Sequence, residues 1–73
     1  MVNANLLKSA IVRSGLTQEA LAKRINETNG TMSRKVNNIA TFTLGEAQAI
    51  ARELGLTEQE INDIFFSKEL ADK

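Results

Sequence analysis

Three threonines constrain this chain more than any other feature. Thr17, Thr43 and Thr57 each follow an apolar residue (Leu16, Phe42, Leu56) and precede another four positions on (Leu21, Ala47, Ile61). A threonine in extended backbone accepts a hydrogen bond from the third N–H of a helix, and the flanking apolar pair staples the entering chain to that helix. Thr43 and Thr57 also have a glutamate three residues on, Glu46 and Glu60, completing the reciprocal capping box. Gly15 and Gly55 follow periodic segments and suit the left-handed position just past a helix end.

These boundaries divide the chain into five helical segments, over about residues 3–14, 17–26, 29–37, 44–54 and 58–70. Apolar residues recur within them at spacings of three and four, the helical period. The predicted inward faces are Leu6, Leu7, Ala10 and Ile11; Leu21, Ala22 and Ile25; Met32 and Val36; Ala47, Ile50, Ala51 and Leu54; and Ile61, Ile64 and Phe65. The dipeptide Asn29-Gly30 is a hairpin signal on its own, but neither flank alternates as strands would. A helix that includes Gly30 gives up about 1 kcal/mol relative to alanine, which predicts a loose first turn. The expected architecture is all-α, one domain over residues 1–73.

Composition excludes several kinds of chemistry. The chain has no cysteine and no histidine, so it lacks thiolate metal ligands, disulfides and the commonest general base. No paired carboxylates stand apart from the capping and surface sets, and an enzyme is not expected, nor a metal or cofactor. Apolar residues make up 42% of the chain, enough for a core. No apolar run approaches a membrane span and no signal-peptide pattern opens the chain, which predicts a cytoplasmic protein with no membrane partner.

A net charge of zero conceals an asymmetry. Residues 1–40 carry six cations against two acids, and residues 41–73 carry three against seven. The first half is expected to attract phosphate and the second to repel it.

The segment LTQEALAKRINETNGTMSRKVNN, residues 16–38, resembles the helix-turn-helix of the lambda Cro and repressor (XRE) family. The likeness lies in Thr17-Gln18-Glu19, Leu21-Ala22 and Ser33-Arg34-Lys35-Val36-Asn37, and extends more weakly over residues 4–66. Ile64-Phe65-Phe66 is similar to the ends of short phage-encoded switch proteins of Gram-positive bacteria. The resemblance implies a five-helix, lambda-repressor-like DNA-binding domain with the helix-turn-helix at its second and third helices. Local chemistry agrees. Ala22 is small where two helices must touch, and Asn26 tolerates the positive φ of the bend, where the family usually has glycine.

By position in the family, Asn29, Gly30, Thr31, Ser33 and Arg34 would read bases in the major groove. Gln18, Thr28, Lys35 and Asn38 would hold phosphates. Arg34 suits the O6 and N7 of guanine, and Asn29 suits adenine. Two departures oppose DNA binding. Glu27 puts a negative charge where the family has a small apolar residue, and Gly30 removes a side chain at a base-reading place.

Phe65 and Phe66 are adjacent and cannot both face one core. Together with Ile61 they are candidate contacts with a second copy or another protein. Two function classes follow. One is a Cro-class regulator that binds double-stranded operator DNA, as a possible homodimer. The other is an antirepressor that docks on a partner phage repressor and blocks its DNA-binding face.

Overall fold

The computed structural model describes residues 1–66. They form five helices: α1 (Ala4–Arg13), α2 (Gln18–Arg24), α3 (Asn29–Val36), α4 (Leu44–Leu54) and α5 (Glu58–Phe65). No strand occurs among the described residues, and Asn29-Gly30 opens α3 rather than a hairpin. The part of the fifth helix expected beyond residue 66 lies outside the described residues.

One device starts every helix. Asn3, Thr17, Thr28, Thr43 and Thr57 sit in extended backbone, and each side chain accepts from the N–H three residues on. Both expected capping boxes form, with the Thr43 N–H donating to Glu46 Oε1 and the Thr57 N–H to Glu60 Oε1, each at 2.9 Å. The cap of α3 is Thr28, so the turn at Gly30 is tied down rather than loose: Thr28 Oγ1 accepts from the Thr31 N–H at 3.1 Å.

A second device ends four of them. Gly15, Asn26, Asn38 and Gly55 all have positive φ, between 64° and 83°. At each, the next residue's N–H reaches back five positions, for example Glu27 N–H to the Ala22 carbonyl at 2.8 Å and Ile39 N–H to that of Arg34 at 2.7 Å. This is the Schellman closure. Glycine supplies it at α1 and α4; asparagine, which tolerates the left-handed region, supplies it at α2 and α3.

The core draws on all five helices. Leu7, Leu21, Met32, Val36 and Ile50 are fully buried, with Ala10, Ile11, Ala22, Ala47, Leu54, Ile64 and Phe65 around them. Leu16, Ile25, Phe42, Leu56 and Ile61 close the edges. Phe42 meets Phe65 edge to face, with ring centroids 5.7 Å apart. Leu6 does not join the core as expected. It is 42% exposed, because Leu7, Ala10 and Ile11 already fill the inward stripe of α1.

Candidate nucleic-acid interface

Among the described residues, α2 and α3 make the most extensive helix pair. The bend between them follows from the Asn26 closure and from Ala22, which is buried where the two helices meet. Met32 and Val36 lie one turn apart on α3 and are completely buried, so the helix faces the core on that side alone. Asn29, Gly30, Arg34 and Asn37 are exposed on the remainder, with Thr31 and Ser33 half-buried beside them.

Most of the predicted base readers therefore share one surface. Gln18, at the start of α2, adjoins it: Gln18 Nε2 donates to Asn29 Oδ1 at 3.3 Å. That leaves both Asn29 amide hydrogens and a second lone pair on its Oδ1 for a ligand. Thr28 donates its hydroxyl to Thr31 Oγ1 at 3.0 Å, leaving the Thr31 hydroxyl hydrogen to point elsewhere. A Cβ built on Gly30 meets nothing within 4 Å, so packing does not demand a glycine there. Ser33 accepts from Asn37 Nδ2, through its carbonyl at 2.8 Å and more weakly through its hydroxyl at 3.4 Å. Asn37 Oδ1 in turn accepts from Lys8 Nζ at 3.1 Å.

Two of the predicted phosphate ligands point away from this surface. Asn38 turns inward to the start of the chain, where its Oδ1 accepts from the Val2 N–H at 2.8 Å and its Nδ2 donates to the Val2 carbonyl at 3.0 Å. Lys35 lies between two carboxylates, with Nζ 3.2 Å from Glu27 Oε2 and 2.6 Å from Glu46 Oε2. Its side chain is only 13% exposed, and each glutamate's 19%. The same contact changes the reading of Glu27 as a bare charge beside the groove, since its carboxylate is paired from within by an ammonium that it shares with Glu46. Of the three proposed partner-contact residues, Phe65 is buried in the core, Ile61 packs at its edge, and only Phe66 is exposed, at 55%.

Burial and pairing shift Glu46 and Lys35. The Glu46 carboxyl is pushed down to about 2, first through hydrogen bonding with the adjacent Glu27 carboxyl, against the opposing effect of burial, and further by Lys35 and the Thr43 N–H. Lys35 is raised above its ordinary value, chiefly by its hydrogen bond to Glu46. A depressed carboxyl contributes stability fully above its unfolded value, here about 4.5, and loses it as pH falls through the folded value of about 2. The raised lysine acts oppositely; its contribution is present below 10.5 and disappears only in stronger alkali. Melting temperature should thus fall between about pH 4.5 and 2, and Glu46→Gln should make that fall shallower. An unchanged acid limb in thermal unfolding of Glu46→Gln would refute this role. Glu60, lowered mainly by the Thr57 N–H, adds to the same limb.

Three of the six cations of the first half are folded into ion pairs with acids of the second. Arg13 meets Glu60 at 2.7 Å and Arg24 meets Glu53 at 3.2 Å, in addition to the Lys35 cluster. Arg13–Glu60, Arg24–Glu53 and Lys35–Glu46 join a cation of the first half to an acid of the second, whereas Lys35–Glu27 lies within the first half. Lys8, Lys23, Arg34 and Arg52 have no ion pair among the described residues.

Five short helices, with the third carrying an exposed polar face beside the start of the second, define a helix-turn-helix DNA-binding domain. A family model described as helix-turn-helix matches residues 7–61, and the chain belongs to that family, of the XRE/Cro type. Searches of curated proteins and of solved structures returned no match. The family is a non-catalytic DNA-binding domain. Among the described residues no helix is long and apolar enough to cross a membrane.

Proposed function

We propose that this chain is a small transcriptional regulator of the Cro class that binds operator DNA through α3. The observation that carries the reading is the division of α3 into a fully buried side, Met32 and Val36, and an exposed polar side, Asn29, Gly30 and Arg34, with Thr31 half-buried beside it. Arg34 has the five-donor fork that matches guanine. Asn29, oriented by Gln18, offers the donor and acceptor that adenine requires. Gly30 leaves open space above the first turn, which lets the backbone approach a groove closely. Gln18 and the α3 N-terminus at Thr28 are the proposed phosphate contacts, joined by Lys23.

Phe66 supports pairing of two copies. It borders a shallow groove with Met1, Val2, Phe42, Leu44 and Ala47, in which Met1 and Leu44 are also exposed. Such an apolar patch, set against the same patch of a second copy, would give a two-fold contact suited to a two-fold operator.

The ion pairing of the cations favours one alternative, the antirepressor that binds a repressor instead of DNA. Salt dependence separates the two. Counting Lys23, Arg24, Arg34 and Lys35 as phosphate contacts, the sequence alone implies a log–log slope of roughly −3 to −4 per protomer. With Lys35 enclosed and Arg24 held by Glu53, the expected slope is about −2. Titration of random-sequence duplex DNA at low salt, then at rising salt, reads it directly. No binding even at low salt would remove the Cro-class reading in favour of the protein-binding one.

A further inference from the structure

We propose that Lys35 is a positioning residue that sets the rotation of α3 about its own axis, through Glu27 in the α2–α3 turn and Glu46 in the first turn of α4. Two buried side chains one turn apart, Met32 and Val36, hold α3 against the core. Apolar contact is non-directional, however, and does not by itself fix how a two-turn helix is rotated. Hydrogen-bonded readout tolerates errors of only about 0.5 Å and 10–20°. Lys35 supplies the direction that apolar contact lacks. Its ammonium reaches Glu27 at 3.2 Å on one side and Glu46 at 2.6 Å on the other.

Both anchors are themselves fixed. The Glu27 N–H donates to the Ala22 carbonyl at 2.8 Å, within the closure of α2. The second oxygen of Glu46 accepts from the Thr43 N–H at 2.9 Å, within the capping box of α4. Three segments thus converge on one largely enclosed ammonium, and Arg34 is the next residue back along the same helix. The side chain that a sequence reading assigns to phosphate instead aims its neighbour.

This inference rests on α3 being the reading helix, and its test separates the two. Wild type and Lys35→Met are each titrated with random-sequence duplex over a range of salt, and each is used to enrich sites from a random duplex pool. A positioning role leaves the salt slope unchanged but lowers the preference for enriched over random duplex about tenfold. A phosphate contact lowers the slope by about 0.9 and leaves that preference intact, which would overturn the proposal.

Amide hydrogen exchange without DNA gives an independent readout. Protection should fall selectively at Glu27, Met32 and Val36, and far less at Leu7 in α1 and Ile64 in α5. A uniform fall across all five would reduce Lys35 to a general stabiliser and overturn the proposal. If Lys35→Met leaves two unpaired carboxylates too close for folding, the double variant Glu27→Gln/Lys35→Met relieves the repulsion and must show the same selective loss. Should wild type bind no duplex at all, the DNA-reading function fails, and the exchange pattern still decides what Lys35 does.

Discussion

Truncating Leu21 or Ile50 to alanine is expected to cost about 2–5 kcal/mol each, measured by denaturant or thermal unfolding. Both side chains are completely buried, one on α2 and the other on α4. Removing three carbons from such a site loses their transfer free energy and leaves a cavity that neighbours fill only in part. A domain of this size has roughly 4–10 kcal/mol of total stability, so either variant should be largely unfolded near 37 °C or close to it. Leu44→Ala is the control. Leu44 is on α4 too but is 63% exposed, and its truncation should change stability by less than about 1 kcal/mol. Two stable, well-folded core variants would contradict the packing described here.

Replacing Arg34 by alanine should cost about 1–3 kcal/mol on the preferred site and relax preference at one base pair. Arg34 is exposed on the face opposite Met32 and Val36 and has no ion pair among the described residues, so the loss should not come from the fold. Lys23→Ala should instead weaken binding to every duplex alike and reduce the salt slope by about 0.9. Gln18→Ala should combine both behaviours. As a proposed phosphate ligand it should act uniformly, but its bond to Asn29 means that its removal also frees a proposed base reader. Site selection from random duplexes, with affinities measured on selected and random DNA, distinguishes the three. If Arg34→Ala and Lys23→Ala reduce both affinities in the same proportion, the assignment of reading and holding roles is wrong.

Helix boundaries were legible in the sequence because they depend on a few adjacent residues. Thr43-Glu46 and Thr57-Glu60 interact within a single turn, and Gly15, Asn26 and Gly55 adopt backbone angles that most residues avoid. The buried stripe was legible for the same reason, since period alone decides which side chains share a face. It failed at Leu6, where α1 offers more apolar residues than its partners can cover. Thr28 was readable as a cap in principle: it is a threonine directly before a polar, glycine-containing helix start. Asn29-Gly30 obscured it by signalling a turn of another kind.

What the chain alone determined, then, is where five helices begin and where the first four end, which face of each is apolar, and that residues 16–38 form a helix-turn-helix with a polar α3. Only the tertiary structure decided which polar groups remain available on that face. Lys35 finds Glu27 eight residues back and Glu46 eleven residues on, and Asn38 finds Val2 across thirty-six positions. Arg13 and Arg24 meet their glutamates only because α5 and α4 return alongside α1 and α2. A cap or a helical period acts within one or two turns and leaves a local signature. An ion pair between distant segments leaves none, because any exposed cation and glutamate look alike in sequence until packing brings two of them within hydrogen-bond reach.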